Sequence, residues 1–391
     1  MACNNIEQLL ITESGRIGPD IYRRTLNTSP WTTLVKQEAW PDEMGETVRV
    51  LVYERTLPGT GSGLTFTDVL SNDPAVEGPG SCAVAGANLG FAQTLTEYNL
   101  QQAAINSPDI CLNDLRFPVK RQEQLRNIMA VLTENTQYAW ENRYRDEYVR
   151  LANYKINANQ TELLAGATSF STTNLPSSRL TQGILRYVYS KLIRDGGATN
   201  AYGRENGAPV FLLITSPETS DDIIKLNADI RQDFRYAKPS ELLTPLGVDR
   251  SYAGFYHLIE TMTPRYDFVG GAWVRRYPYT TASATKGTKF VPNPAYYTAE
   301  YEDSIIFHPD VFTSLVPKPI GATGAMAFDP QSYRGDFRWR NILDRTCNPD
   351  GNIGFFRAIF SSGSKPVFTN LGYVIRHKRC AADFGLVGCY S

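Results

Sequence analysis

The longest periodic pattern in the chain follows Pro118. Between Val119 and about Tyr154 there is no proline or glycine, and apolar or aromatic residues recur at helical spacing. These residues are Leu125, Ile128, Met129, Leu132, Ala139, Trp140, Tyr144, Tyr148 and Leu151. At a rise of about 1.5 Å per residue the segment predicts one helix of roughly 54 Å, far longer than a usual globular helix. No heptad is sustained, which disfavours a coiled coil and favours a strut across an extended domain.

The segment before this helix predicts a long two-stranded loop. Residues 48–54 are rich in β-branched side chains and predict a strand. Glycine and proline crowd the stretch from Pro58 to Gly86, and a returning strand is predicted from Gln93 to Gln101. A long excursion between two strands is uncommon in a compact domain and is usually functional.

Residues 1–40 predict an extended arm with one helical stretch. Gly18-Pro19 and Ser29-Pro30 are expected to interrupt helices. Trp31 and Trp40 are large apolar anchors in a segment with little core of its own. They either pack on the body of the same chain or pack on a neighbouring subunit, and the sequence leaves both alternatives open.

The region 173–325 predicts a mixed α/β unit. Apolar residues at helical spacing predict a helix over 184–193 that stops at Gly196-Gly197, and 209–214 predicts a buried strand. A further strand is predicted over 252–260. The unit therefore alternates helices and strands.

A second helix of this unit is predicted directly after the buried strand. Thr215 is the expected N-cap, Pro217 lies in the first turn, and Glu218 completes a capping box three residues after Thr215. Near the C-terminus, 355–360 and 372–377 predict a terminal pair of strands joined by 361–368.

Composition narrows the classes of function. Hydrophobic residues make up 42% of the 391, enough for a sizeable core. The 39 basic and 40 acidic residues nearly cancel, which argues against a dedicated nucleic-acid binder.

No apolar stretch reaches the ~20 residues of a membrane span, and no signal peptide is visible, so cytoplasmic synthesis is expected. Six scattered cysteines are expected to be free thiols, the alternative being late disulfides between subunits.

A search for chemistry predicts no catalytic, cofactor-binding or metal-binding residue. His257, His308 and His377 lack metal-ligand spacing and are expected at the surface or in packing. The segment from Gly59 to Gly63 imitates a phosphate-binding loop but lacks its lysine. The segment from Asn348 to Asn352 predicts a tight turn rather than a calcium loop.

Two charged clusters each have two interpretations. Glu300, Glu302 and Asp303 are expected to form a solvated rim, the alternative being a weak metal site. The C-terminal third is comparatively basic and is expected to pair with acidic neighbours, the alternative being a surface for nucleic acid or a partner subunit. Its basic residues are Arg338, Arg340, Arg345, Arg357, Arg376, Lys378 and Arg379.

The order of these elements resembles the HK97-type major capsid proteins of tailed bacteriophages. The residues that carry the resemblance are Leu213-Ile214-Thr215-Ser216-Pro217-Glu218, Gly335-Asp336-Phe337-Arg338-Trp339, Asn348-Pro349-Asp350-Gly351, Gly354-Phe355-Phe356-Arg357-Ala358, Lys365-Pro366 and Gly372-Tyr373. The resemblance implies an α+β fold with an N-terminal arm, an extended E-loop, a P-domain with a long spine helix and an α/β A-domain. The implied boundaries are 1–40 for the arm, 41–113 for the E-loop and its flanking strands, 114–172 for the P-domain with the spine helix, 173–325 for the A-domain, 326–362 for the return strands of the P-domain, and 363–391 for the C-terminal strand and tail in the A-domain.

The resemblance also implies a function. The chain would be a structural subunit and not an enzyme, forming pentamers and hexamers of an icosahedral head around double-stranded DNA without sequence specificity. Implied partners are a separate scaffolding protein, a portal and decoration proteins, with assembly in the host cytoplasm and final localisation in the virion. The alternatives are an encapsulin-like compartment with protein cargo and an enzyme whose site is not visible in sequence.

One departure from the family concerns the E-loop. Some members join subunits through a lysine there, but this chain has no lysine between Lys36 and Lys120. The sequence therefore predicts a shell held by non-covalent contacts, or by disulfides through Cys82 or Cys111. Because the arm begins almost at Met1, a separate scaffolding protein is expected.

Overall fold

The computed structural model divides the chain into two compact units, which are described separately. One unit comprises Met1–Trp40 with Gln101–Ser391, and the other is Pro41–Leu100. The structure describes residues 30–40, 47–54, 92–107, 109–111, 118–159, 168–205, 207–226, 248–252, 254–283, 288–317, 336–342 and 353–379.

Five α-helices and one short 3₁₀ helix lie in the described ranges. They are α1 (Pro30–Leu34), α2 (Pro118–Leu151), α3 (Gln182–Arg194), α4 (Pro217–Leu226), α5 (Pro294–Tyr297) and the 3₁₀ helix Thr369–Leu371. No helix in these ranges is both long enough and apolar enough to cross a membrane.

Strands outnumber helices. They are β1 (Gln37–Ala39), β2 (Thr47–Glu54), β3 (Ala92–Asn99), β4 (Gln101–Asn106), β5 (Ile110–Cys111), β6 (Tyr154–Asn157), β7 (Gly203–Glu205), β8 (Ala208–Thr215), β9 (Val248–Tyr252), β10 (Phe255–Ile259), β11 (Arg265–Val269), β12 (Ala272–Arg276), β13 (Tyr279–Ser283), β14 (Thr288–Pro292), β15 (Tyr301–Phe307), β16 (Phe312–Val316), β17 (Asp336–Asn341), β18 (Ile353–Pro366) and β19 (Tyr373–Lys378).

A nine-stranded mixed sheet forms the centre of the larger unit. Its main order is β12-β11-β15-β8-β10-β9, with β19 beside β15, β6 beside β19, and β7 beside β8. The pairs β8–β10 and β6–β19 are parallel, while β15 runs antiparallel to β8 and β19. Strand β15 is buried along its whole length, so the sheet places its charged residues in the interior.

A six-stranded sheet is organised around β18. Its order is β1-β16-β18-β17, with β4 and β5 also paired to β18. The first half of β18 lies between β17 on one side and β4 with β5 on the other, and the second half pairs with β16.

Two antiparallel ribbons stand as sheets of their own. In the larger unit β13 pairs with β14. In the smaller unit β2 pairs with β3 over all eight residues, from Thr47 opposite Asn99 to Glu54 opposite Ala92. The second ribbon confirms the predicted two-stranded arrangement, and the residues between its strands lie outside the described part of the chain.

The long helix predicted after Pro118 is confirmed, but it ends earlier than expected. It spans Pro118–Leu151, 34 residues, rather than reaching Tyr154. Beyond it the Asn153 N–H bonds to the Thr369 carbonyl, and the Tyr154 N–H bonds to the Gly372 carbonyl. The chain leaves the helix because these long-range backbone bonds start β6, which helical periodicity does not reveal.

The arm tryptophans pack on the chain's own body. Trp31 is completely buried and packs against the rings of both Tyr148 and Phe307, with centroids 5.9 and 6.0 Å away. Trp40 is also buried, and its backbone N–H donates to the carbonyl of Val316. The intrachain alternative is therefore correct for both, and Pro30 begins α1 instead of breaking a helix, as its ring permits at a first helical position.

The predicted capping box does not form, and the N-cap lies one residue later than expected. Helix α4 begins at Pro217, so Ser216 is the N-cap, and its hydroxyl accepts the Thr219 N–H at 3.2 Å. Thr215 is the last residue of β8, and Glu218 bonds to Arg265 instead of the backbone of the cap. Proline cannot extend the turn in the N-terminal direction, which sets the helix start.

The two C-terminal strands do not form a pair. Strand β18 continues through the predicted connection as far as Pro366, because Gly363 to Pro366 lie opposite Leu315 to Phe312 of β16. Strand β19 instead joins the nine-stranded sheet beside β15 and β6. The predicted helix over 184–193 and its stop are confirmed, since α3 is followed by Gly196 at φ +93°.

Candidate functional site: the buried charges of the large sheet

Tyr148 fixes α2 to the large sheet. Its hydroxyl donates to the carbonyl of Ile306 at 2.7 Å and accepts the N–H of His308 at 2.9 Å. Its ring stacks on Phe307, with centroids 5.3 Å apart. Burial raises the pKa of Tyr148, which keeps the hydroxyl protonated. The helix and the end of β15 are therefore joined by matched polar and aromatic contacts.

Two consecutive residues of α2 bind different strands. The buried Arg145 donates to Glu260 at 3.0 Å and to the carbonyl of Met262, just after β10. Asp146 accepts two bonds of 2.7 Å from Arg275 in β12. Burial alone would lower the pKa of Arg275, but the bonds and charge of Asp146 outweigh burial and raise it. Because β10 and β12 are separated in the sheet by three other strands, α2 is tied at two distant points.

Glu302 of β15 is the centre of a buried ionic network. Its Oε2 accepts Arg265 Nε at 3.2 Å and lies 3.3 Å from Arg379 Nε. Its Oε1 accepts the Ser216 N–H at 3.3 Å and the Thr219 hydroxyl at 3.2 Å. One carboxylate thus links β15, β11, the start of α4 and the residue after β19.

Glu218 completes this network from the first turn of α4. Its oxygens accept Arg265 Nη2 at 3.1 and 3.2 Å and lie 3.8 Å from Arg379. Burial would raise the pKa of Glu218, but the two guanidinium charges lower it. Burial and the neighbouring Arg265 lower the pKa of Arg379, whereas Glu302 and Glu218 outweigh burial and raise that of Arg265. Arg265 and Arg379 therefore share the carboxylates of Glu218 and Glu302.

A second buried pair lies beside this network. Arg376 of β19 donates to Asp303 of β15 through Nε and Nη2, at 2.7 and 2.8 Å. Its guanidinium also lies over the rings of Phe170, Tyr266 and Trp273, at 3.8, 3.6 and 4.5 Å from their centroids. A planar guanidinium can make both kinds of contact at once. The charge of Arg376 is therefore satisfied within its own chain.

The prediction of a solvated acidic rim is wrong for Glu302 and Asp303, both of which are fully buried. Glu300 is 43% exposed and lies 3.5 Å from Lys378. Arginines bind both oxygens of Asp303 and one oxygen of Glu302, and Ser216 and Thr219 bind the other. No cluster of metal-binding side chains occurs within the described residues. The arginines Arg265 and Arg376 come from 37 and 73 residues away, which a local pattern cannot show.

One signal in the sequence could have revealed these partners. Glu302 and Asp303 stand just before Ile305, Ile306 and Phe307 in one strand. A buried strand is normally a nearly continuous apolar run, so carboxylates within one require cationic partners.

The three histidines are buried, as the packing alternative predicted. His377 Nδ1 lies 3.0 Å from the Lys378 carbonyl, and Nε2 lies 2.8 Å from Ser304 Oγ. Because a carbonyl only accepts, Nδ1 carries the proton and Nε2 accepts from the serine. This geometry resembles a nucleophile and its base, but Ser304 and His377 are 0% and 1% exposed, which denies a substrate access.

His308 ties the turn after β15 to the end of α3. Its Nε2 donates to the Gly197 carbonyl at 3.1 Å, and its Nδ1 accepts the Asp310 N–H at 3.2 Å. Burial lowers the pKa of His308, so the neutral ring with one donor and one acceptor is favoured.

The basic C-terminal residues divide into two groups. Arg376, Lys378 and Arg379 pair with carboxylates, which confirms the predicted ion pairing for them. Arg340 and Arg357 form no ion pair with any residue that the structure describes.

Several sequence features lie outside the described residues. They are the loop from Gly59 to Gly63, the turn from Asn348 to Asn352, Arg345, and the cysteines Cys3, Cys82, Cys347, Cys380 and Cys389. Cys111 closes the short strand β5.

Comparisons with known proteins give structural likenesses at low identity. No protein-family model and no curated protein sequence matches the chain. The capsid of Ralstonia phage GP4 is similar with a TM-score of 0.44 and 10% identity, over 88% of this chain and 87% of the other. The cyanophage Pam1 capsid has a TM-score of 0.42 and 11% identity, over 90% and 93%.

A third likeness is to the holo-SrpI encapsulin complex from Synechococcus elongatus. Its TM-score is 0.40 and its identity 10%, over 89% of this chain and 87% of the other.

Proposed function

We propose that the chain is a structural shell subunit, a major capsid protein of HK97 type, and that it is not an enzyme. The observation that carries this proposal is the order of its elements. A buried arm segment is followed by a separate two-stranded unit, a 34-residue helix, a mixed sheet with helices, and a long return strand. The family's arm, E-loop, spine helix, A-domain and return strands occur in the same order.

In this proposal each region has a structural role. Residues 1–40 are the arm, 41–113 the E-loop with its flanking strands, 114–172 the P-domain with the spine helix, 173–325 the A-domain, 326–362 the P-domain return strands, and 363–391 the C-terminal strand and tail in the A-domain. Helix α2 suits a spine because Arg145 and Asp146 fix its C-terminal half to distant strands. The buried acids Glu302 and Asp303 pair with buried arginines of the same chain, and these ion pairs would make the subunit rigid.

The proposed subunit assembles in the host cytoplasm into pentamers and hexamers of an icosahedral head that becomes the virion shell. The shell would enclose double-stranded DNA without reading its sequence. A nearly neutral chain suits this role, because tight gripping of DNA by the wall would require a basic excess. A separate scaffolding protein, a portal and decoration proteins would be the other partners.

Expression of the full chain followed by negative-stain microscopy and sedimentation velocity tests this proposal. Closed particles of uniform size are expected. A chain that stays monomeric both when expressed alone and in infected cells, where a scaffolding protein would be present, would refute it.

The contents of the particles separate two kinds of shell. Nuclease-resistant DNA inside particles from infected cells supports the phage head. Particles that hold a specific protein cargo and no DNA would instead establish an encapsulin-like compartment.

A further inference from the structure

A surface of exposed aromatic and proline rings lies where β12, β13, β14 and α5 follow one another. Among the described residues only five large apolar side chains are exposed, and three of them, Tyr277, Tyr279 and Tyr297, are in this stretch. Tyr279 lies directly opposite the exposed Pro292 in the ribbon. We call these four residues, with the exposed Pro294 at the start of α5, the tyrosine patch.

Asn293 holds the parts of the tyrosine patch together. Its backbone N–H donates to the Pro278 carbonyl at 2.9 Å, and its Nδ2 donates to the Tyr277 carbonyl at 2.8 Å. Its Oδ1 accepts the Ala295 N–H at 3.2 Å, so it also caps α5, the helix that carries Tyr297. The segments before β13 and after β14 are therefore fixed beside each other.

Two of the exposed rings are held by neighbouring rings. Tyr279 meets Tyr138 of α2 edge to face, with centroids 5.9 Å apart. Tyr297 meets the buried Tyr296 in the same way, with centroids 5.5 Å apart. Rings that are already held in place lose little conformational freedom when a partner covers them. Exposed apolar patches of this kind commonly mark a binding surface.

The C-terminal segment leaves the described part of the chain beside this patch. Arg379 is the last described residue, and its backbone N–H donates to the Glu300 carbonyl at 3.0 Å. Its buried guanidinium donates to the carbonyls of Tyr297 and Ala299, at 3.3 and 2.7 Å. Since consecutive Cα atoms are only about 3.8 Å apart, the segment after Arg379 starts next to the tyrosine patch.

The segment that follows Arg379 is apolar. Residues 380–391 contain one charged side chain, Asp383, and no lysine, arginine or glutamate. Their apolar side chains are those of Cys380, Ala381, Ala382, Phe384, Leu386, Val387, Cys389 and Tyr390. Segments that stay unfolded in water are typically poor in such side chains and rich in charge. Because apolar side chains are driven out of water, this composition favours a segment that covers a surface.

We propose that the tyrosine patch is the docking site of residues 384–390 of the same chain. Phe384 is five residues beyond Arg379, within roughly 18 Å of extended chain, and the patch begins at Tyr297, to which Arg379 is bonded. The docked segment shields an apolar surface that would otherwise be free to associate non-specifically. This inference goes beyond the proposed function and does not depend on the assembly of a shell.

Disulfide trapping in the full-length chain tests the contact. Thr281→Cys places a thiol on the same side of the ribbon as Tyr279, for reaction with the native Cys389. The control is Thr199→Cys, at an exposed residue beside Gly197, which bonds to His308 just after the far end of β15. A free tail of ten residues spans up to roughly 33 Å and β15 only about 23 Å, so an undocked tail reaches both positions.

Mass spectrometry of peptides after mild oxidation measures the two yields. Cys389 is expected to form at least ~5-fold more disulfide with the thiol at position 281 than with the thiol at position 199. Equal yields would overturn the inference. Mixing isotope-labelled and unlabelled Thr281→Cys chains before oxidation identifies the copy. Disulfides within one label are expected, whereas abundant mixed-label disulfides would assign the patch to the tail of a second copy and overturn the intrachain contact.

Hydrogen exchange gives a second readout that needs no introduced thiol. In the full-length chain, Phe384→Ser/Leu386→Ser is expected to speed amide exchange in β13, β14 and α5 at least ~5-fold and to leave α3 unchanged. The matched control Ala381→Ser/Ala382→Ser removes less apolar area and should change these rates less than ~2-fold. Unchanged exchange in β13, β14 and α5 would overturn the inference, as would an equal acceleration in α3, which would indicate general destabilisation.

Discussion

Two sets of arginines in this chain have opposite surroundings. Arg265, Arg376 and Arg379 in and beside the large sheet are buried against Glu218, Glu302 and Asp303. Arg340 of β17 and Arg357 of β18 form no ion pair with any residue that the structure describes. The first set is neutralised inside one chain, whereas Arg357 is half-buried and Arg340 is exposed to solvent.

The difference separates two ways in which a protein chain can carry charge. A buried charge without its partner is strongly destabilising, so the interior must be neutralised before assembly. A charge that keeps contact with water costs much less when it has no ionic partner. Substitutions in the two sets should accordingly differ in their effect on stability.

The largest loss of stability is expected from Glu302→Gln. The change removes the charge shared by Arg265 and Arg379, and leaving buried charges uncompensated costs about 3–5 kcal/mol. Urea unfolding of the purified chain measures the loss. The control Glu300→Gln, at a 43% exposed side chain, should cost less than about 1 kcal/mol. Equal losses in the two variants would show that the buried network does not stabilise the fold.

The second-largest loss of stability is expected when the buried, uncharged hydroxyl of Tyr148 is removed. Tyr148→Phe keeps the ring on Phe307 but deprives the Ile306 carbonyl and the His308 N–H of their bonds, at a cost of about 1–3 kcal/mol. The melting temperature reports the change. Tyr279→Phe is the matched control, because the Tyr279 ring is 43% exposed, and it should change the melting temperature very little. Equal melting temperatures of the two variants would show that the Tyr148 hydroxyl does not stabilise the contact between α2 and the large sheet.

A pH-dependent effect is expected at the edge of the network. The pKa of Glu218 is lowered in the folded chain from its ordinary value of 4.5, so its contribution is full above that value and is lost as pH falls through the folded pKa. Glu218→Gln should cost about 1 kcal/mol near pH 7. Unfolding free energies measured between pH 7 and acid should show the difference from wild type shrinking towards zero. A difference that stays constant with pH would contradict the assignment.

The smallest effect on folding is expected from Arg357→Gln. Removing one of two like charges in register should leave stability unchanged or raise it by up to about 0.5 kcal/mol. Arg379→Gln, which strips a partner from Glu302, should instead be clearly destabilising. Chemical denaturation of both variants compares them directly, and equal losses would show that Arg357 is neutralised within its own chain.

Local patterns in the sequence were sufficient for much of the fold. Periodicity located α2 and α3, an apolar run located β8, and β-branched residues followed by a Gly- and Pro-rich stretch located both strands of the smaller unit. These features depend on neighbours a few residues away, which a single sequence displays.

Features that depend on distant residues were not predictable in the same way. The end of α2 depends on Thr369 and Gly372, and the continuation of β18 depends on β16. The sequence showed Glu302 and Asp303 as charges but not the arginines that fold onto them, so their burial was missed. The pairing of Arg376, Lys378 and Arg379 was predicted from the near balance of charges over the chain, but the same argument was wrong for Arg340 and Arg357 among the described residues.

Strand β18 has a mechanical consequence if the chain forms the proposed shell. It is 14 residues long, roughly 46 Å, and neighbouring strands hold both sides of its first half. Antiparallel hydrogen bonds run perpendicular to the strand, so a pull along its length loads many of them in shear at once instead of opening them one at a time. A wall whose stretching force runs along β18 would resist rupture far better than one in which the same force peels the strand from its edge.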